Sequence, residues 1–360
     1  MELKYCNKIL LAKYFKFIEQ LYSGNQYYRS STTPLMKFLL SEKSKFKNDK
    51  VIKPFLIFEK DQIVAVGTYI WVKKYPHILQ IAFFETHENN EVIELIIDVA
   101  KNMCEKYKAK HIVFGMNGHM SNGFGILCNA YNQDVSFGGS YNPRYYEKYL
   151  SQVASSTMTV RTYTANIENL EQNISTELIG NVFDQYTFRK ANLKNLRSEI
   201  EQYTHLSNYC FKNHPLYYER TFEEDYEMFK LFRLFLKGEN LLFAEKHGKP
   251  VGFLLWYPNF NEIVSPGRSL GPLSLIKFKM FPGKIKQFQG VQIGVLPKYQ
   301  RKGIGFGLML YNYKIAKKRF KYCESGWVED SNIKSKNIIE KMTINKYNTG
   351  KIYKIFQIDI

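Results

Sequence analysis

The chain has 360 residues, of which 45% are hydrophobic and 16% aromatic, and its formal net charge is +18. This length leaves room for two domains with hydrophobic cores, and the composition excludes intrinsic disorder. Its five cysteines lie far apart without a Cys-x-x-Cys pair, which predicts neither a disulfide framework nor a zinc site.

The N-terminal residues and the charge pattern indicate the location and the partners to expect. The first residues, Met1 to Cys6, lack the apolar core of a signal peptide, and no apolar run is long enough to span a bilayer. We therefore expect a cytoplasmic protein without membrane partners. The lysines are spread along the chain rather than bunched, so a polyanionic cofactor fits the charge and no nucleic-acid partner is expected.

After about 50 residues of helices and loops, the first half predicts an α/β order. The predicted strands are 54–59, 63–70, 78–84 and 110–115, and a helix at 92–107 precedes the last of them. Asn89 and Asn90 are expected to cap that helix.

The second half repeats this order. The predicted strands are 241–245, 250–257, 289–295, 322–328 and 352–358, with a helix after the third strand and another at 332–342. Both hairpins carry Val-Gly after the turn. We infer a duplicated domain, with limits at 1–178 and 179–360.

The turn from Gln300 to Gly305 lies between a predicted strand and a predicted helix. Two glycines at a helix start let unpaired backbone N–H groups approach a phosphate, and the helix dipole adds positive potential. Arg301 and Lys302 can neutralise further phosphate charge. The turn is therefore interpreted as a pyrophosphate site, with a purely structural tight turn as the alternative. The matching place in the first half, 84–87, has no glycine pair.

This turn resembles the Gln/Arg-x-x-Gly-x-Gly/Ala signature of the GNAT superfamily of acyl-CoA-dependent N-acetyltransferases. Over its full length the chain is similar to bacterial two-domain GNAT-like proteins. The resemblance implies an α/β (α+β) fold of two tandem GNAT-like domains, each a mixed, mostly antiparallel sheet flanked by helices. The N-terminal copy would be degenerate and lack the cofactor loop, with a structural or substrate-lining role.

The implied activity is transfer of an acetyl or other acyl group from acetyl-CoA, or another acyl-CoA, to the amine of a small molecule or peptide. The residues that the resemblance assigns to cofactor binding are Ile293, Val295, Gln300, Arg301, Lys302, Gly303, Ile304, Gly305 and Asn332. Asn332 also suits a helix N-cap.

Two positions depart from the family pattern. Many GNAT enzymes carry a glutamate on the strand before the loop, where this chain has Gln289 and Gln292, which cannot act as bases. Many also place a tyrosine as general acid on the helix after Asn332, where this chain has Ile339.

The remaining catalytic candidates are Glu324, Glu329 and Tyr347. Burial near the cofactor would make Glu324 a useful base, although pairing with a lysine is the alternative. Glu329 precedes a predicted helix, whose dipole it could simply favour. Tyr347 is one possible proton donor among 27 tyrosines.

Two other functions remain open. The missing glutamate and tyrosine are also compatible with a protein that binds or senses acyl-CoA without catalysis. Fem-type transferases also have tandem GNAT-like domains and use aminoacyl-tRNA, although a pyrophosphate loop would have no purpose there. The histidines show no metal spacing, so no metal is expected.

Overall fold

A computed structural model describes residues 1–170, 176–343 and 347–360. The chain divides into two units, one of Met1–Val160, Val264–Ser269 and Lys351–Ile360, and the other of Arg161–Ile263 and Leu270–Gly350. These units do not coincide with the predicted limits at 178 and 179. The C-terminal segment belongs to the first unit because its strand pairs with strands of that unit.

The secondary structure follows the predicted alternation of strands and helices. The strands are β1 (Glu2–Tyr5), β2 (Lys50–Glu59), β3 (Gln62–Val72), β4 (Tyr75–Thr86), β5 (His111–Phe114), β6 (Ile126–Leu127), β7 (Ser156–Asn166), β8 (Thr187–Lys190), β9 (Leu241–Lys246), β10 (Lys249–Pro258), β11 (Gln287–Val295), β12 (Tyr322–Glu324), β13 (Val328–Glu329) and β14 (Asn348–Asp359). The helices are α1 (Lys8–Leu21), α2 (Thr33–Leu39), α3 (Asn90–Tyr107), α4 (Tyr145–Val153), α5 (Thr176–Gln185), α6 (Leu196–Phe211), α7 (Phe222–Leu231), α8 (Pro272–Met280), α9 (Ile304–Ala316) and α10 (Ile333–Thr343).

In the first unit the sheet order is β1-β2-β3-β4-β5-β14. Only β4 and β5 are parallel, and α3 connects them; the other neighbours are antiparallel. The helix α3 buries Val92, Ile96 and Ala100, which recur every fourth residue, in the main core of this unit. Asn89 caps α3 as predicted, since its side chain accepts from the N–H of Glu91 at 3.0 Å.

In the second unit β8, β9, β10 and β11 form an antiparallel sheet, and β12 adds to β11 in parallel. The helix α9 connects β11 to β12, just as α3 connects β4 to β5. The repeated order predicted from the sequence is confirmed, and with it the mixed, mostly antiparallel sheet in each half. Both units therefore contain one parallel strand pair, which the connecting helix makes possible.

Two helices cover opposite faces of the second sheet. The helix α6 buries Tyr203 in a core with Phe253 of β10. The neighbouring Gly252 points the other way, where a Cβ would lie 3.4 Å from the Ile304 side chain of α9. The N-terminus of α9 therefore lies beside the carboxyl end of β11, on the face away from α6.

The prediction of one continuous strand over residues 322–328 is wrong for the middle of this segment. β12 ends at Glu324, and β13 begins only at Val328. Between them Gly326 approaches β11 so closely that a Cβ would lie 2.6 Å from the carbonyl oxygen of Val291. The hydroxyl of Ser325 donates to the oxygen of Gly326 at 2.8 Å, so this segment turns against β11 instead of extending the ladder.

Candidate active site

The turn before α9 has the shape of an anion site. Arg301 and Gly303 both adopt left-handed backbone angles, with φ of 62° and 78°. In the described part of the chain no side chain caps α9, and the N–H of Gly307 donates to the oxygen of Gly303 at 2.9 Å. The N–H groups of the first turn are therefore available to an anion.

Gly305 faces the side chains of β11 at this helix end. A Cβ there would lie 3.8 Å from Ile293 Cδ1 and 3.9 Å from Val295 Cγ2, which is ordinary van der Waals contact. The packing of the protein does not require a glycine at this position, whereas the left-handed φ of Gly303 does. Gly305 therefore lies next to the two strand residues, Ile293 and Val295, that the resemblance assigns to cofactor binding.

The charges around the turn are positive. Arg301 and Lys302 are exposed, and within residues 1–170, 176–343 and 347–360 neither forms an ion pair. Gln300 donates its side-chain amide to the oxygen of Val295 at 3.1 Å, which ties the turn to the end of β11. Ile304 is buried, so only its backbone faces the site.

The strand β11 offers a free edge next to this turn. Leu296 donates its N–H to the oxygen of Val251 at 2.9 Å. Because an antiparallel strand alternates the direction of its backbone groups, Ile293 and Val295 direct theirs to the edge away from β10. The strand β12 does not cover this edge, since its pairing with β11 ends where Gln289 lies opposite Glu324.

A bulge marks the point where β11 and β12 separate. Gly290 pairs with Trp256 and Gln292 pairs with Leu255, so Val291 is an extra residue on β11. The extra residue of a bulge stands outside the regular ladder and bends the strand. We call the place where the two parallel strands stop pairing the fork; Gly326 packs against the oxygen of Val291 there.

Glu324 lies at the base of this fork and is only 3% exposed. The side-chain amide of Gln287 donates to its Oε2 at 2.7 Å. Gln289 lies directly opposite Glu324 and is also buried, and its Oε1 has no hydrogen-bond partner among the described residues. A buried carboxyl group and an unsatisfied amide oxygen therefore meet where an incoming group would enter the fork.

The structure places Glu329 beside His214, with 4.0 Å between Glu329 Oε2 and His214 Nε2. The N–H of Leu216 donates to His214 Nδ1 at 3.2 Å, so the neutral imidazole carries its proton on Nε2, towards Glu329. Burial lowers the pKa of His214, and the charge of Glu329 partly offsets this effect. Glu329 thus has a specific partner that the sequence did not indicate.

Tyr347 and Asn332 are both engaged locally. The hydroxyl of Tyr347 donates to Glu340 Oε1 at 3.4 Å, and its ring packs edge-on against Tyr163. Burial, followed by the charge of Glu340, raises the pKa of Tyr347. Asn332 accepts from the N–H of Ser335 at 3.1 Å, so it caps α10 as the N-cap interpretation predicts.

The sequence did not predict a polar network that lies behind β11. Tyr203 donates its hydroxyl to Gln292 Oε1 at 2.6 Å, and Arg220 donates to the hydroxyl of Tyr203 at 3.3 Å. Arg220 in turn pairs with Asp225 at 2.8 Å, and both side chains are buried. The sequence signal for this network was Gln292, a polar residue within an otherwise apolar strand.

Comparison with known proteins gives a family match over part of the chain. Residues 200–343 match the family model described as acetyltransferase (GNAT) family, which confirms the resemblance of the sequence. A search of curated protein sequences gives no significant match.

Three solved structures share the fold over 99% of this chain. A GCN5-related glucosamine N-acetyltransferase region of a fungal multi-domain GH3 beta-N-acetylglucosaminidase has a TM-score of 0.59 at 13% identity, and this chain spans 38% of its length. A tandem GNAT protein from the clavulanic acid biosynthesis pathway has a TM-score of 0.57 at 8% identity, with 98% of its length covered. A probable N-acyltransferase from Enterococcus faecalis has a TM-score of 0.54 at 10% identity, with 71% covered. These similarities support two GNAT-like domains as the fold.

Proposed function

We propose that this chain, whose residues 200–343 form a GNAT acetyltransferase domain, is an N-acyltransferase. It would move an acetyl or other acyl group from acyl-CoA to the amine of a small molecule or peptide. The observation that carries this proposal is the uncapped N-terminus of α9, where Gly305 lies beside Ile293 and Val295 of β11. That pairing suits a ligand with a phosphate group at one end and an extended amide chain behind it.

The residues present fit acyl-CoA. The N–H groups of Gly303, Ile304 and Gly305 would hold the pyrophosphate, and Arg301 and Lys302 would neutralise its charge. The backbone groups of Ile293 and Val295 would bind the amides of the pantetheine arm. Because Oδ1 of Asn332 caps α10, only the side-chain N–H groups of Asn332 remain for the ligand.

Bound acyl-CoA would supply the acyl thioester. The residues at the fork would take up the proton of the amine and stabilise the charge that develops on the acyl oxygen. Glu324 would remove a proton from the incoming ammonium group, because it is the carboxylate at the base of the fork. Gln287 would hold that carboxylate in place through its hydrogen bond. The N–H of Val291, outside the regular ladder of β11, would stabilise the developing negative charge on the acyl oxygen.

Glu329 and Tyr347 have secondary roles in this proposal. Glu329 with His214 offers a second route for the proton, because His214 stays neutral over a wider pH range than an exposed histidine. Tyr347 would return a proton to the leaving thiolate. Its raised pKa keeps the hydroxyl protonated at neutral pH.

The second candidate is an acyl-CoA-binding protein without catalysis. One observation favours it: Gln292, at a strand position where many GNAT enzymes carry a glutamate, is held by Tyr203, and the carboxylate of that network, Asp225, is paired with Arg220. In the described part of the chain no helix has the length and apolar character needed to cross a bilayer. We propose a cytoplasmic location for either function.

Turnover separates the two functions. The purified protein would be incubated with acetyl-CoA and a panel of primary amines, and release of the CoA thiol would be followed. We expect amine-dependent release with at least one amine. Saturable binding of acetyl-CoA without release under any amine would favour the binding protein, and absence of binding would contradict both.

A further inference from the structure

The first unit contains a cavity that the acyl-transfer proposal does not use. It has a volume of about 110 Å³ and is lined by Tyr28, Glu85, Asn117, Tyr141 and Tyr146, with several glycines between them. We call it the Glu85 cavity. It lies near the carboxyl end of β4, where β4 and β5 cease to pair after Ile81 and Phe114.

The carboxyl group of Glu85 accepts hydrogen bonds but has no cationic partner among the described residues. Its Oε2 accepts from the hydroxyls of Tyr22 at 2.7 Å and Tyr146 at 2.9 Å. Within the described residues its Oε1 has no hydrogen-bond partner, and Glu85 forms no ion pair. One oxygen is thus fixed by two donors, and the other is left for whatever enters the cavity.

The negative charge of Glu85 acts on five tyrosines, whose pKa values it raises. They are Tyr14, Tyr22, Tyr28, Tyr145 and Tyr146. Burial raises the pKa of Glu85 to about 8, although the hydrogen bonds from Tyr22 and Tyr146 lower it.

Arg29 also lines the cavity but is already engaged. Its Nε donates to the oxygen of Val264 at 2.7 Å, and its Nη2 pairs with Asp134 at 3.2 Å. The guanidinium group is therefore directed to partners other than Glu85. The cavity combines a half-buried carboxyl group with aromatic walls, and within the described residues no cation pairs with that carboxyl group.

The backbone next to Glu85 is strained. Phe83 has a φ of 49°, which an L-residue with a bulky side chain rarely adopts. Its N–H donates to Asn117 Oδ1 at 2.8 Å, and its oxygen accepts from the hydroxyl of Tyr14 at 2.7 Å. Residues held in this way by specific bonds cluster at functional sites.

The helix that follows β4 does not suit a phosphate. Asn89 already caps α3, and Glu88 and Glu91 add negative charge at its N-terminus. The N-terminus of α9 has none of these features. The ligand of the Glu85 cavity is therefore of another chemical class than the ligand of the α9 turn.

We propose that the Glu85 cavity binds a small primary ammonium ion, with Oε1 of Glu85 as the counter-ion and the surrounding tyrosine rings as the walls. The rings of Tyr28 and Tyr141 line the space, and Tyr28 stacks on Tyr22 with 3.8 Å between ring centroids. Aromatic faces attract cations, most strongly where water is excluded. The volume suits a ligand with about four to six heavy atoms, since a cavity of about 150 Å³ holds benzene.

The test uses n-propylammonium chloride and the full-length protein, with binding followed by ligand-observed NMR from pH 6 to pH 9. The ligand stays protonated in this range, as lysine does. Below the pKa of Glu85 a proton competes with the ligand, so affinity should rise about tenfold per pH unit from pH 6 to pH 8 and then level off. 1-Propanol and propionate, which have similar size but no positive charge, should bind at least tenfold more weakly at pH 9.

Two variants and one control complete the design. Glu85→Gln keeps the shape of the side chain and should weaken n-propylammonium binding at pH 9 at least tenfold, with its pH dependence lost. Tyr22→Phe removes one bond that lowers the pKa of Glu85, so the rise in affinity should move to higher pH. Glu105→Gln, on the exposed side of α3, removes the same charge and should leave binding unchanged.

Unchanged binding in Glu85→Gln, or binding of 1-propanol as tight as that of n-propylammonium, would overturn the proposal. Absence of binding to the wild-type protein at pH 9 would overturn it as well. The proposal does not rest on acyl transfer, because the readout is amine binding in the absence of acyl-CoA.

Discussion

Gln289 and Glu324 lie directly opposite one another on parallel strands, at the last pair before β11 and β12 separate. Both side chains are buried and point to the same face of the sheet. Gln287, two residues earlier on that face, donates to Glu324. The candidate base, Glu324, therefore lies on β12 at the point where the two strands stop pairing, and not on β11 itself.

Replacement of Glu324 by glutamine should abolish most turnover. The amide keeps the shape of the side chain but cannot take a proton, so we expect kcat to fall by about 10²- to 10⁴-fold. The affinity for acetyl-CoA, measured by calorimetry, should stay within about threefold of wild type. The same assay on Glu329→Gln and Tyr347→Phe ranks the three candidates. A kcat in Glu324→Gln that equals wild type would remove Glu324 from the chemistry.

The buried ion pair of Arg220 and Asp225 should be essential for the stability of the second unit. Asp225→Ala leaves the Arg220 charge buried without its carboxylate, so the free energy of unfolding should fall by about 3–5 kcal/mol. Urea denaturation measures the loss. The control Asp98→Ala removes an exposed carboxylate that pairs with Lys101. It should cost less than about 1 kcal/mol, and an equal loss in both variants would contradict this account.

The sequence predicted the order of elements and the α9 turn well, because both depend on local rules. Apolar alternation predicts β11, and Gly303 must be a glycine for a backbone reason that lies within the turn. The break at Gly326 could not be predicted, because its cause is a carbonyl oxygen of Val291, which is 35 positions away in the sequence. Likewise, nothing in the local pattern indicates that the last strand pairs with β5 of the first unit.

The residues of the candidate site also differ in how far the sequence alone could predict them. The residues of the turn from Gln300 to Gly305 are together because they are contiguous. The partners of the two acids are not contiguous with them: His214 approaches Glu329, and Gln287 approaches Glu324, only through folding. Glu85 lies near the end of the apolar strand β4, but its tyrosine partners are Tyr22, the residue that follows α1, and Tyr146 of α4.

The pH dependence of stability should reveal Glu85. Its pKa in the folded protein, about 8, lies above the value near 4.5 of an unperturbed glutamate. The folded state therefore binds an extra proton between these values, and the stability this provides is lost as the pH rises through about 8. Relative to Glu85→Gln, wild type should lose at most about 1.4 kcal/mol per pH unit in this window. Parallel stability curves for the two proteins, measured by urea denaturation from pH 5 to pH 9, would contradict the burial of this acid.

Titration of acetyl-CoA into wild type and Gly305→Asp tests the central claim most directly. Aspartate in the first turn of α9 favours the helix dipole, so the fold should be retained by circular dichroism, while its charge should repel a pyrophosphate. The control is Gly283→Asp, at an exposed glycine whose Cβ would meet nothing within 4 Å. We expect micromolar binding to wild type and the control, and at least tenfold weaker binding to Gly305→Asp. Equal binding by all three proteins would show that acyl-CoA does not use the α9 turn, and absence of binding to wild type would contradict the acyltransferase assignment.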